Sequence, residues 1–163
     1  GVNVAWPGSI DRVDVYVDGL DEVDGKLNMI KGRGGALTME KILAYHSDKR
    51  IFICDHTKLV AKLGSTKPVP IEVVPGALRM VMRKLVGMGY RVEFRMGSGK
   101  DGPTISDLGG VIVDVYTGSI KDPEDLEKTF RSIPGIIETG LFVNIADIVV
   151  VGYPDRVVEL RRT

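Results

Sequence analysis

Short runs of β-branched residues, set apart by a stretch with helical spacing, place the tightest limit on how this chain folds. The run "VDVYV" covers Val13–Val17 and "RIFIC" covers Arg50–Cys54, with Gly35–His46 reading as a helix between them. Strand, helix, strand in that order predicts parallel strands joined by a crossover helix, and so an α/β fold. Lys26–Ile30 reads as a short additional strand. The 163 residues are 44% hydrophobic, enough to fill the core of one large domain or two small ones.

The texture changes at "GSTKPVPIEVVPG", where Pro68, Pro70 and Pro75 mark a domain boundary. A strand (Val69–Val74), a helix (Ala77–Gly87) and a strand (Arg91–Met96) follow. The glycine-rich connection "GSGKDGPTISDLGG" then leads to a strand at Val111–Tyr116. A helix begins near Asp122, with Pro123 in its first position, and a strand covers Ile136–Val143. This β-α-β-β-α-β order is the ferredoxin-like pattern. The tail "ADIVVVGYPDRVVEL" supplies two more strands, expected to rejoin the first sheet. The reading is a parallel-sheet domain, residues 1–68 plus 146–163, carrying an inserted α+β domain at 69–145.

Charge narrows the partners. Lys+Arg and Asp+Glu are equal at 22 each, and this balance argues against nucleic acid or an acidic membrane surface. No apolar run reaches the ~20 residues of a membrane span, and no signal peptide is visible. Cys54 is the single cysteine. It has no disulfide partner in the chain, reads as a small buried hydrophobe, and suits a reducing cytoplasm.

The acids and the lysine carry the chemistry. Asp18 and Asp21 stand at the end of the first strand, and in open parallel sheets ligands bind beyond such ends. "DGLDEVDG" is equally a plain polar turn, or a carboxylate site for magnesium or calcium, although its spacing is not that of an EF-hand. "KGRGGA", with Lys31, Gly32, Arg33 and Gly34, opens a helix, and backbone amides there with a nearby lysine suit an anion or a developing oxyanion. The lysine precedes the glycines, so this is no P-loop; the glycines equally allow a tight turn. Glu40 falls within the apolar arc of Ala36, Leu37, Met39, Leu43 and Ala44. A carboxylate there is paired with a cation, desolvated toward a cleft as a base, or a half-exposed residue favoured by the helix dipole. Lys58 lies beyond a second strand end, His46 at the helix end and His56 in a turn, and neither histidine forms a triad with a serine. Acids, a lysine and a glycine loop without a nucleophile point to proton shuttling. An enediol isomerase needs a carboxylate base, a cation or amides for the enediolate, and acids to manage hydroxyl protons.

The stretch "YVDGLDEVDGKLNMIKGRGGALTMEKILA" resembles the signature of type A ribose-5-phosphate isomerases, as do "DHTKLV", "PVPIEVVP", "DGPTISDLGGVIVDV" and "IPGIIETGLF", in order through nearly the whole chain. The resemblance implies interconversion of ribose 5-phosphate and ribulose 5-phosphate through an enediol, with no metal or other cofactor. It places the base at Glu40, the substrate turn at Asp18, Gly19, Leu20 and Asp21, the loop at Lys31, Gly32, Arg33 and Gly34, and a further substrate lysine at Lys58. It also implies a Rossmann-like domain carrying the ferredoxin-like one, and cytoplasmic homodimers or homotetramers. The sugar phosphate is the implied partner.

The chain departs from the family's DGADE, KGGGGA and REK patterns at Leu20, Arg33 and Met39, and "SDLGG" stands for the usual TDNGN. Arg33 is expected either to crowd the site or to add a phosphate contact. Family members also begin with roughly a third more chain, bearing the first strand and helix of the Rossmann-like domain and a phosphate-gripping loop. The expectation is therefore a partial Rossmann-like sheet with an uncovered edge or face. Two other readings are a sugar-phosphate sensor, in which Glu40 is dispensable, and an amino-acid-binding regulatory module built on the ferredoxin-like part.

Overall fold

In the computed structural model, residues 1–97 and 101–162 are described, so Ser98–Lys100 of the glycine-rich connection lie outside the described residues. The first strand, β1 (Val13–Gly19), is followed by two very short ones, β2 (Glu22–Val23) and β3 (Met29–Ile30). Helix α1 (Leu37–Tyr45) runs into β4 (Ser47–Asp55). Then come β5 (Val69–Val73), α2 (Leu78–Gly87), β6 (Arg91–Phe94), β7 (Val111–Tyr116), α3 (Pro123–Arg131) and β8 (Ile136–Thr139). The chain closes with β9 (Leu141–Phe142), β10 (Ile148–Gly152) and β11 (Val157–Arg161).

These strands form three sheets, so the fold is mixed α/β. The first has the order β1-β4-β10-β11; β4 is parallel to both β1 and β10, and β11 returns antiparallel. The return is a tight turn at Pro154–Asp155, closed by Tyr153 N–H donating to the Arg156 carbonyl at 2.8 Å. The second sheet is small, β2-β3-β9, and antiparallel. The third, β6-β7-β5-β8, is antiparallel throughout.

Two expectations change. The strand read at Lys26–Ile30 shrinks to Met29–Ile30 and belongs to the small sheet, not the parallel one. The strand read at Ile136–Val143 breaks at Gly140, and its second half pairs with β3. The reason lies in Gly140 itself: its N–H donates to the Pro70 carbonyl at 2.6 Å, and its carbonyl accepts from Lys31 N–H at 2.8 Å. A side chain there would strike Lys31 and Pro70, so the residue joins the third sheet to the chain leading out of the second.

Two cores result. One fills the space between the third sheet and its helices, with Ile71, Val73, Val81, Leu85, Val113 and Phe130. The helix α3 above it is capped by Asp122, which accepts from the N–H groups of Glu124 and Asp125 at 3.1 and 3.0 Å. The other core lies under the first sheet, where Tyr16, Ala44, Phe52, Phe142 and Val149 meet. Strand periodicity turns the alternate residues outward. Val15, Val17 and Ile53 remain 50%, 54% and 50% exposed, so this sheet is covered on one face.

Candidate active site

The site is assembled by the end of β1 and the start of α1. Residues two apart on a strand share a face, so Tyr16 and Asp18 point the same way. The chain then turns through the β2–β3 hairpin, which Asp24 ties by accepting from Lys26 N–H at 2.8 Å and Asn28 N–H at 2.9 Å. That return brings Lys31 back beneath the end of β1. Its side chain is 4% exposed, with Nζ 2.8 Å from Asp18 Oδ2 and 3.4 Å from Glu40 Oε2, and it donates to the Gly19 carbonyl. The ammonium also lies 5.7 Å from the Phe52 ring centre and 5.5 Å from that of Phe142, a favourable setting for a desolvated cation.

The two carboxylates flanking Lys31 are pushed in opposite directions. Burial pushes Asp18 upward, but hydrogen bonds from Lys31 and Tyr16, the Lys31 charge and the Gly19 N–H together hold it below the ordinary carboxylate range. Burial raises Glu40 above its ordinary range; Lys31 opposes this, while Asp18 and Asp21 add to it. Glu40 Oε2 is buried and, among the described residues, accepts no hydrogen bond. Its contact with Lys31 is an ion pair without hydrogen-bond geometry. A desolvated, unpartnered carboxylate oxygen beside a fixed cation is arranged to take a proton from a bound molecule and steady the negative charge that results.

The glycine loop shapes this arrangement more than it cradles an anion. Gly32 and Gly35 have φ of 106° and 86°, a region side chains rarely adopt. A Cβ at Gly32 would lie 2.7 Å from Leu37 Cβ, so the first residue of α1 packs directly on the loop. Two of the loop amides are already engaged: Arg33 N–H donates to Asp21 Oδ2 at 3.1 Å, and Gly35 N–H to the Gly32 carbonyl at 3.0 Å. Arg95, paired with Asp114, donates to the carbonyls of Gly32 and Arg33 at 2.8 and 2.7 Å, tying the loop to the third sheet.

The structure thus brings together Asp18, Gly19, Asp21, Lys31, Gly32 and Glu40. Leu20 turns inward to the core, so its side chain is packing. Gly34 is exposed. Arg33 lines a cavity of about 510 Å³ with Asp21, Lys67 and Arg95. Lys58 is half-buried after β4, close enough to Cys54 and Asp55 to affect both, and among the described residues no ion pair joins it to the cluster. Burial and Asp55 push the Cys54 thiol up to about 11, which disfavours the thiolate. His56 stacks on Tyr153 at 5.1 Å, away from the site. Among the described residues, no group of three or more His, Cys, Asp or Glu is placed to hold a metal ion.

Sequence reading passed over Tyr16, Lys41 and Glu72. Tyr16 donates to Asp18 Oδ2, and its place two residues before Asp18 was the available signal. Lys41 looks like a surface lysine in sequence yet is 7% exposed. Buried Glu72 accepts from Thr38 on α1 and from Ser106. The "SDLGG" turn folds around that Ser106 oxygen, which accepts from the N–H groups of Leu108 and Gly110, both at 3.1 Å.

Known proteins share this arrangement of chain and sheets. A family model described as ribose 5-phosphate isomerase A (phosphoriboisomerase A) matches residues 1–156. Ribose-5-phosphate isomerase A of Thermococcus kodakarensis is 46% identical over 162 residues, which is 99% of this chain and 71% of that protein. The protein of the same name from Pyrococcus horikoshii is 47% identical over 161 residues, 99% of this chain and 70% of its own length. A solved D-ribose-5-phosphate isomerase in complex with phospho-erythronic acid superposes with a TM-score of 0.93 at 48% identity, covering 97% of this chain and 69% of that one. Ribose 5-phosphate isomerase A from Neisseria gonorrhoeae gives 0.90 at 35% identity, covering 99% and 70%. With sequence and fold matched over nearly its whole length, the chain belongs to the ribose 5-phosphate isomerase A family.

Proposed function

We propose that this chain interconverts ribose 5-phosphate and ribulose 5-phosphate through an enediolate, with Glu40 as the base. The observation that carries the reading is the buried, unpartnered Oε2 of Glu40 beside the Lys31 ammonium. In the open-chain aldose, Glu40 takes the proton from C2 and returns it to C1. Lys31 steadies the oxygen on which charge develops. Asp18 and Asp21 at the strand end handle the hydroxyl protons that must move between the two oxygens. Proton transfer of this kind is worth roughly 10²–10⁴-fold.

The same membership supports the finer parts of the proposal. Lys58 and the exposed Gly34 belong to the substrate-binding set through the backbone and charge they offer at the rim. Leu20 contributes through its backbone in the turn. The antiparallel β5–β8 unit is a ferredoxin-like domain inserted at 69–145 into a Rossmann-like domain of 1–68 plus 146–163; the strand order β8-β5-β7-β6 supports this. The working form is a homodimer or homotetramer in the cytoplasm, consistent with a lone cysteine. The sensor and regulatory-module readings lose their ground, because the relatives at 46–47% identity bear an enzyme's name.

The test is conversion of ribose 5-phosphate by the purified chain, alone and with a separately supplied segment standing for the front part of the longer relatives. Turnover in either arm that disappears in Glu40→Gln supports the proposal. Turnover that persists in Glu40→Gln removes Glu40 as the base, and its absence from both arms overturns the assignment to this chain.

A further inference from the structure

Behind the acid–lysine cluster stands a group that takes no part in the proton transfers. Tyr16 is 8% exposed on β1. Its ring is braced against Phe52, with centres 5.7 Å apart and planes at 60°. Its hydroxyl reaches one atom of the site, Asp18 Oδ2, the same oxygen that takes Lys31 Nζ at 2.8 Å. Asp18 Oδ1 meanwhile accepts from Gly19 N–H at 2.7 Å. Asp18 is therefore held by two hydrogen bonds and one ion pair, and only the tyrosine contributes no charge and no backbone.

We propose that Tyr16 is a positioning residue: its hydroxyl fixes Asp18 Oδ2 so that Lys31 stays shared between Asp18 and Glu40 rather than being claimed by Asp18. The inference rests on the isomerase reading for its effect on rate, but not for its effect on Asp18. Burial and the neighbouring Asp18 and Glu40 charges push the phenol far above its ordinary value, so it stays protonated and acts as donor. Without it, Oδ2 keeps only its ion pair with Lys31, and its demand on that cation grows. Lys31 then moves toward Asp18 at the expense of Glu40, which it already meets at the longer distance of 3.4 Å. The charged groups around Asp18 are Lys31, from the loop after β3, and Glu40, from α1; the charge of Asp21 acts on Glu40 as well.

Tyr16→Phe removes one oxygen and keeps the ring on Phe52. In the folded variant, the Asp18 carboxyl signal, followed by carbon NMR through a pH titration, should have its midpoint raised by about one unit. In the competent assembly, kcat should fall about tenfold, with KM within twofold and the acidic limb of the pH–rate profile displaced. Against an Asp18→Asn background the same change should add nothing, since Tyr16 acts through Asp18. An unmoved Asp18 midpoint in a folded Tyr16→Phe protein would overturn the inference, as would an equal further loss of rate on Asp18→Asn. The titration needs no turnover. A wild-type chain that fails to isomerise therefore strikes the proposed function, while the Asp18 midpoint still decides the role of Tyr16.

Discussion

Glu40 meets two demands that pull in opposite directions. A base must be poised to accept a proton, and here burial supplies that by keeping the carboxyl above its ordinary range; the same burial makes the ionised form costly to the folded chain. A group whose folded value is raised contributes stability that is full below the unfolded value and is lost as pH rises through the folded value. At neutral pH the ionised Glu40 is therefore a liability. Glu40→Gln should lower turnover by roughly 10²–10⁴-fold and raise the melting temperature at pH 7 by roughly 1–3 °C. Melting curves of the two proteins should converge as pH falls through the Glu40 range. Asp18 runs the other way. Its lowered value means that its contribution is present above the unfolded value and lost as pH falls through the folded one. Glu40, Asp18 and Lys31 were legible as candidates because a helical arc, a strand end and the glycine loop mark them in turn. Tyr16 was not, because a tyrosine in a valine-rich strand reads as core until its hydroxyl partner is seen.

Helix α1 has no side-chain N-cap and a non-helical Ala36 in that position, so packing must hold it. Two polar clamps do so. Thr38 donates to buried Glu72 of β5. Lys41 lies 2.7 Å from Glu127 of α3 and 2.9 Å from Glu138 of β8, with its ammonium 5.2 Å from the Phe142 ring centre. The inward face of the helix is Leu37, Thr38, Lys41 and Ala44, not the purely apolar arc that periodicity picks out, and Glu40 sits on its flank. Lys41→Met leaves Glu127 without its cation and Glu138 with only the more distant Arg131, at 3.8 Å. It should cost about 3–5 kcal/mol in urea unfolding, and kcat should fall more than KM changes, since the helix carrying Glu40 loses its anchor. The β-α-β-β-α-β order was readable because each element is long enough to show its period. The strands β2, β3 and β9 have two residues each, too few for any alternation, and Lys41 found its partners only through contacts with residues more than eighty positions away.

At the scale of the molecule, the first sheet keeps a partly bare face at Val15, Val17 and Ile53. The expectation of an uncovered face arose from the family resemblance, not from the strand itself, where the apolar face of Val13, Val15 and Val17 reads as core. This patch should bind a hydrophobic dye such as anilinonaphthalene sulfonate at neutral pH. Val17→Thr combined with Ile53→Thr should weaken that fluorescence severalfold while far-ultraviolet dichroism holds; undiminished fluorescence would mean that the dye sits elsewhere. The seam at Gly140 acts over a similar distance. One residue there meets Pro70 on one side and the backbone of Lys31 on the other, while Arg95 grips the glycine loop from the third sheet. For anyone building chimaeras from related chains, the antiparallel unit is therefore a poor cassette. Exchanged on its own, it carries away the hydrogen bonds that seat the lysine loop, so a working hybrid must inherit both from one parent.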